Sequence, residues 1–451
     1  CDTVENGYQC HPAKSHFWGQ YSPYHSLNDS YTQRSTAHLW EQCAISSAHV
    51  LSRHGARYPT LGKSLIYAQL VARLQSQIPQ TAMIGKWGFL RTYNYTLSIH
   101  SDLLSEFGQR QMYNSGLRFH DLYGSLFSPD ELNLFVRAGD QNRVVESALN
   151  FTQAFWSAAT PKAPHSSATD EPIPILRIPE KPRENNTLHH SLCAPIETGE
   201  YSDLGSHAQE EWLAHFGLPI STRLNEELPG ASLTANDVVS MMELCAFETV
   251  TRQPPQGELA GFCHGFTVAE FAELDYYHSL GKYYGYGSGN PVGAAQGVGW
   301  VRELIARLTE QPVKHAGSIN TTLDSDPATF PRGGKWKLYA DFSHDNDMSG
   351  HLAALRLYKT RLRNNTRQHP YDSDGYSASW TVPFAGRIYV EKWRCGEEDR
   401  IRVLVNERAM NLPWCRGKSQ ADGEDMTCAI QDFVDGLMEM GDWGWDEKCF
   451  P

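Results

Sequence analysis

No apolar run in the sequence approaches eighteen residues, which excludes a membrane-spanning helix. There is no basic excess. Lys plus Arg number 39 against 52 Asp plus Glu, a net charge of −13, whereas a general nucleic-acid binder would be positive. Only 20% of residues are charged and 11% are aromatic, a balance that excludes a disordered chain. Cys-x-x-Cys is absent, so zinc-ribbon and thioredoxin-like sites are unsupported. His-Glu-x-x-His is absent as well. Asp345-x-Asp347-x-Ser349-Gly350 imitates the start of a calcium loop, but Arg356 stands where the bidentate Glu belongs. Neither a metal nor a cofactor is therefore expected. Gly285-Tyr286-Gly287-Ser288-Gly289 lacks the Gly-x-Ser-x-Gly spacing of a serine hydrolase. No internal repeat is visible.

What is present begins with ten scattered cysteines in 451 residues, which read as five disulfides formed in an oxidising compartment. Asn28, Asn94, Asn150, Asn185, Asn320 and Asn364 each head an Asn-x-Ser/Thr sequon, so N-glycans are expected at some of them. Together these favour a secreted, extracellular protein. With no visible signal peptide and no C-terminal anchor tail, the chain reads as the mature form. A monomer is expected.

Periodicity divides the chain. Ala44 to Leu51 predicts a buried strand, followed by a helix carrying the row Ile66, Leu70, Leu74, Ile78. Leu132 to Arg137 predicts a second strand, with a turn at Gly139-Asp140 and a helix through Val144, Ala148, Phe151 and Phe155. Six prolines between Pro161 and Pro182 suit an exposed connection. Helical signals follow: Thr234 as a cap, a Thr267–Glu270 capping box, and the stripe Val301, Leu304, Ile305, Leu308. Lys335 to Phe342 alternates like a strand, and a helix is expected from about Met348 to Lys359. Arg387 to Trp393 and Arg400 to Val405 predict a strand pair. The expected fold is α/β with helices on both faces of the sheet, plus a smaller, mainly α domain. The domains are placed at 1–185 with 326–451, and at 186–325.

Three of the predicted strands end in chemistry. The first runs into Arg53-His54-Gly55-Ala56-Arg57-Tyr58-Pro59-Thr60, the second ends at Arg137, and the third runs into Ser343-His344-Asp345-Asn346. Ligands of open α/β sheets bind outside the carboxyl ends of strands, so these loops are expected to meet. Arginine forks match phosphate oxygens and stabilise charge on a phosphoryl group in transit. A neutral histidine nitrogen attacks phosphorus, and an aspartate beside the departing oxygen protonates it. Gly55 is expected to let the backbone approach the ligand. The set fits phosphomonoester hydrolysis through a phosphohistidine, without a metal.

These residues resemble a known family. Arg53 to Thr60 with His344-Asp345 is similar to the histidine acid phosphatases, and nearly the whole chain resembles the secreted fungal phytases among them. Cys1-Asp2-Thr3-Val4, Trp18-Gly19-Gln20-Tyr21-Ser22-Pro23, Thr92-Tyr93-Asn94-Tyr95 and Tyr339 to Asn346 carry the likeness. The resemblance implies a phosphoric monoester hydrolase acting on phytate (inositol hexakisphosphate), of the 3-phytase type. It implies His54 as nucleophile, Arg53, Arg57, Arg137 and His344 as phosphate ligands, and Asp345 as proton donor. Gln20, Tyr21, Thr60, Lys63, Lys282 and Asn346 fall at substrate-contact positions. Ile66 and Gly281 replace lysines of some relatives, which bears on phytate preference. The pairing implied is Cys1–Cys10, Cys43–Cys395, Cys193–Cys449, Cys245–Cys263 and Cys415–Cys428, which sequence alone could not choose. A broad-specificity phosphatase and a non-catalytic polyanion-binding glycoprotein are the alternatives.

The acidic balance stands against an anionic substrate only near neutrality. The sequence pI of about 5.8 makes the molecule positive in acid, where most of the 19 histidines are expected to be charged. Phytate capture is therefore expected to weaken from about pH 5 to 7 at low salt.

Overall fold

The first apolar run becomes the central strand of a mixed sheet. In this computed structural model the described residues are 1–28, 43–96, 101–161, 171–181, 184–254, 257–415, 426–439 and 441–450. Two of the prolines in the Pro161–Pro182 connection, Pro164 and Pro182, lie outside them, as does the Ser30 end of the Asn28 sequon. The strands are β1 (Asp2–Thr3), β2 (Gly7–Tyr8), β3 (Cys43–Arg53), β4 (Leu134–Gly139), β5 (Ile175–Ile178), β6 (Leu338–Ser343), β7 (Arg387–Cys395), β8 (Glu398–Val405), β9 (Arg408–Ala409) and β10 (Cys428–Ala429). The longer helices are α1 (Leu61–Gln77), α2 (Glu106–Tyr123), α3 (Asn142–Ala159), α4 (Leu204–Glu227), α5 (Ala235–Arg252), α6 (Val268–Gly285), α7 (Gly293–Thr309) and α8 (Asp345–Ala354).

The large sheet runs β10-β8-β7-β3-β6-β4-β5, with β9 on β8. β3, β6, β4 and β5 are parallel; β7 and β8 are antiparallel additions. Both faces are covered. Val50, Val136, Ala340 and Phe342 pack with Met112 and Phe119 of α2 and with Val144, Ala148, Phe151 and Phe155 of α3. Leu51, Ile388 and Val390 belong instead to the core shared with Trp300 and Leu304 of α7 and Met348 and Leu352 of α8. Neighbours such as Val50 and Leu51 thus face opposite layers, as the two-residue strand period requires. Each large apolar side chain so buried contributes about 1.5–3 kcal/mol of transfer free energy.

The segment from Ala194 to Thr309 is helical, and no strand falls within it among the described residues. Sequence signals set its helix starts. Thr234 and Asp237 cap α5 reciprocally, and Thr267 and Glu270 do the same for α6. All five disulfides implied by the resemblance are formed.

Several element boundaries differ from expectation. β4 runs to Gly139, two residues beyond Arg137. α8 begins at Asp345 and ends at Ala354. In α1 the buried row is Ser64, Tyr67, Leu70, Val71 and Leu74, while Ile66 is exposed. Tyr67 and Val71 share a face with Leu70 and Leu74, and this turns Ile66 to solvent.

Candidate active site

Parallel register brings the strand ends level. Arg53 pairs with Ser343, and Ala138 pairs with Phe342, which sets Gly139 beside Ser343. His54 and His344 therefore leave the same edge, and their rings lie 5.5 Å apart.

His54 is buried, and its Nδ1 sits 2.8 Å from the carbonyl of Gly55. A carbonyl only accepts, so Nδ1 carries the proton and Nε2 keeps its lone pair. Burial, then the neighbouring guanidinium groups of Arg53 and Arg143, hold the imidazole well below its ordinary pKa, so it stays neutral. Gly55 serves differently from expectation. A Cβ there would meet the Gly108 carbonyl at 2.4 Å, so the crowding comes from α2 behind the loop.

Three guanidinium groups surround the ring, and one of them is not the predicted one. Arg53 is fully buried, lies 4.5 Å over the Phe384 ring, and donates to the backbone carbonyls of Gln20 and Val382. Arg57 donates to its neighbour's carbonyl, and Asp102 lies near both Arg57 (4.0 Å) and Arg143 (3.9 Å). Arg143, in the first turn of α3, reaches His344 Nδ1 at 3.3 Å. Burial lowers the pKa of Arg143, as it does that of Arg53, which falls to about 10. The buried Nε atoms of Arg53, Arg57 and Arg143, and Nη2 of Arg53, have no hydrogen-bond partner among the described residues.

Arg137 does not join them. Two residues short of the strand end, its guanidinium points into the core, 2.9 Å from Asp341 and 2.6 Å from Glu303. Burial opposes its charge, but Asp341 and Glu303 more than reverse that and raise its pKa. Arg143 is the arginine that sequence reasoning missed. The available signal was a cation in the first turn of a helix, where the macrodipole disfavours it.

The acid side of the site is a charged chain. Asp345 opens α8, with Lys282 Nζ at 2.6 Å and Arg53 Nη2 at 3.4 Å. Burial raises the carboxyl, but Arg53 and Lys282 overcome this and hold it well below the usual carboxylate range. Lys282 also donates to Asn346 Oδ1 at 2.6 Å, which brings Asn346 to the same group. His344 is fixed between a donor and an acceptor, since Arg143 faces Nδ1 and Glu180 lies 3.1 Å from Nε2.

The remaining candidates take other places. Gln20 contacts Arg53 through its carbonyl, and its buried side-chain Oε1 has no partner among the described residues. Tyr21 is buried against Phe247 and Phe384. The Thr60 hydroxyl caps α1 by accepting from Lys63 N at 3.3 Å. Lys63 Nζ is paired with buried Glu243 at 2.7 Å, and Glu243 also accepts from Tyr67 at 2.7 Å.

A neutral nucleophilic nitrogen among arginines that keep buried donors without a hydrogen-bond partner among the described residues, with a carboxyl opposite, defines a phosphoryl-transfer site of the histidine phosphatase type. The chain belongs to the histidine phosphatase superfamily (branch 2), which matches residues 44–406. It is 43% identical to Phytase A of Aspergillus fumigatus, covering 100% of this chain and 94% of that one. Phytase A of Aspergillus oryzae is 42% identical, with the same coverage. Among solved structures, the phytase from D. castellii aligns with a TM-score of 0.75 at 20% identity, over 96% of this chain and 87% of that one. The Bifidobacterium longum multiple inositol polyphosphate phosphatase, in complex with inositol hexasulfate, aligns at 0.62 and 12% identity over 94% and 97%. Both share the fold.

Proposed function

We propose that the chain is an acid phosphatase that hydrolyses the phosphomonoesters of phytate through a phosphohistidine on His54. The observation that carries this reading is the set of three buried guanidinium Nε–H groups, unpartnered among the described residues, around a neutral imidazole whose Nε2 keeps its lone pair. Relatives named Phytase A, 42–43% identical over the whole chain, support phytate as the substrate.

In the proposed cycle Arg53, Arg57 and Arg143 hold the phosphoryl oxygens. His54 Nε2 forms the P–N bond as the ester P–O bond breaks, and the leaving oxygen takes a proton from Asp345. Water then attacks phosphorus, Asp345 accepts its proton, and phosphate leaves with His54 restored. Asp345 is ionised while Arg53 and Lys282 face it. A bound dianion draws on both cations, which lets the carboxyl gain the proton it must deliver. That fits work in acid. His344 remains a proposed further phosphate contact, and Gln20, Tyr21, Thr60, Lys63, Lys282 and Asn346 proposed contacts of the inositol ring or its other phosphates. The helical domain would span 186–325 and carry Lys282, with the rest on the α/β domain at 1–185 and 326–451. Secretion is supported by five disulfides, and glycans are proposed first at the exposed Asn28, Asn94 and Asn185.

One observation favours a broader substrate range. Lys63 is tied to Glu243, and exposed Ile66 adds no charge near it. Comparing kcat/KM for phytate, 2-glycerophosphate and 4-nitrophenyl phosphate from pH 3 to 7 separates the two. A clear phytate advantage is expected; equal values would make the protein a general acid phosphatase.

A further inference from the structure

His344 belongs to a cluster whose other two members, Glu180 and His189, the proposed chemistry leaves unused. One donor atom each from Glu180, His189 and His344 falls within 4.8 Å of the others. Glu180 Oε2 is 3.2 Å from His344 Nε2 and 3.3 Å from His189 Nδ1. The His189 side chain is nine-tenths buried, and its Nδ1 has no hydrogen-bond partner among the described residues. The frame is stiff: Asn186 ties the loop to the carbonyls of Ile178 and Pro179, and Ser343 Oγ holds the Leu188 carbonyl at 2.7 Å.

Two imidazole nitrogens and a carboxylate form the ligand set of a tetrahedral zinc site with one open position. Bonds of about 2.0–2.1 Å in a tetrahedron place ligand atoms roughly 3.3 Å apart, close to the two separations measured here. The mixed nitrogen–oxygen set suits a late first-row divalent ion better than calcium or magnesium. We propose that Glu180, His189 and His344 bind such an ion, Zn²⁺ or its relatives, and that its binding blocks turnover. The block follows from His344. A neutral imidazole bound through Nε2 carries its proton on Nδ1, where Arg143 now donates at 3.3 Å. Two N–H groups cannot face each other there, so the ion and the present position of Arg143 exclude one another. Binding stands on the three ligands alone, whereas the block rests on the roles proposed for Arg143 and His344.

The test uses Co²⁺ as a spectroscopic probe and Zn²⁺ as inhibitor, with 4-nitrophenyl phosphate as substrate so that the substrate does not sequester the metal. The proposal expects a one-to-one Co²⁺ ligand-field spectrum and a Zn²⁺ inhibition reversed by a chelator. H189Q should weaken both by roughly 10–100-fold, with metal-free turnover unchanged and thermal unfolding confirming its fold. H189F, which fills the ring's volume, repeats the test if H189Q does not fold. No Co²⁺ spectrum, or one unchanged in H189Q, would overturn the site. A spectrum lost in H189Q but kept in E180Q would also overturn it, because His190 and Asp347 would then be the partners of His189. Binding without loss of turnover would overturn the block and count against His344 and Arg143 as phosphate ligands, leaving His54 untouched.

Discussion

Two buried arginine clusters lie on the same sheet and behave oppositely. Around Arg137 the charges cancel. Arg137 and Arg307 face Asp341 and Glu303, Asp341 also accepts from Trp300 at 3.0 Å, and Thr187 donates to Glu303. Around His54, Arg53, Arg57 and Arg143 crowd together with donors left over, and burial, reinforced by their surplus positive charge, keeps the histidine neutral. The first arrangement sets two cations against two carboxylates and only structure uses it, although the buried Nε and Nη2 of Arg307 have no hydrogen-bond partner among the described residues. The second is costly to bury without an anion, and such a cost persists where a ligand repays it.

The sharpest way to break this comparison is to remove the nucleophile. H54A should lose at least ~10³-fold in kcat, because removing the nucleophile of a covalent mechanism leaves only binding and electrostatic stabilisation. Rapid quenching of the wild type into alkali should trap phosphate on His54, and a fully active H54A would end the mechanism. R143A comes next. A loss of about 10²–10³-fold in kcat/KM is expected, as for a lost oxyanion donor, with the melting temperature nearly unchanged. R137M should do the reverse, destabilising the fold by about 3–5 kcal/mol because buried Glu303 loses its ion-pair partner and Asp341 one of two. Denaturant unfolding and kinetics on the two variants decide it; an R137M protein that is stable but inactive would merge the clusters.

D345N should slow phytate by roughly 10²-fold or more and 4-nitrophenyl phosphate less, since its leaving group needs no proton and only the shared water step suffers. Equal losses would remove Asp345 as the acid. The smallest effect concerns pH. The carboxylate of Asp347, 2.9 Å from His190, outweighs burial and raises that histidine to about 9. A raised folded-state pKa contributes stability that is complete below about 6.5 and fades as pH climbs toward 9. Wild type should therefore lose on the order of 1–3 kcal/mol between pH 6.5 and 9 from this pair. In H190Q that part of the slope should vanish; an unchanged slope would place it elsewhere.

Much of this was legible from residue patterns because the carriers were local. β3 and the loop Arg53 to Thr60 are contiguous, and Asp345 follows directly on β6. Arg137 misled because a two-residue error in a strand end reverses which residue reaches the edge. Its partners Asp341 and Glu303 lie 204 and 166 positions away in sequence, so nothing local marked it as satisfied. The pairing of Lys63 was hidden in the same way, because its partner Glu243 stands 180 positions away. The expected charging in acid does not extend to seven of the 19 histidines. Burial lowers His16, His25, His49, His54, His189, His278 and His351, with His25 and His49 down to about 3. The attraction for a polyphosphate then falls mainly to arginines, whose charge is constant from pH 5 to 7, and the loss of capture over that range should be shallow.

The long-range bridges bear on how the protein withstands a protease. Cys43–Cys395 spans 352 residues and Cys193–Cys449 spans 256. A single cut at any peptide bond between Cys43 and Cys449 therefore leaves two pieces joined by at least one of them. His54 and Asp345 can lie on different pieces and still be anchored to adjacent strands, β3 and β6, of one sheet. A nicked molecule would migrate as intact on a non-reducing gel, come apart only with reductant, and keep its reactive edge assembled until then.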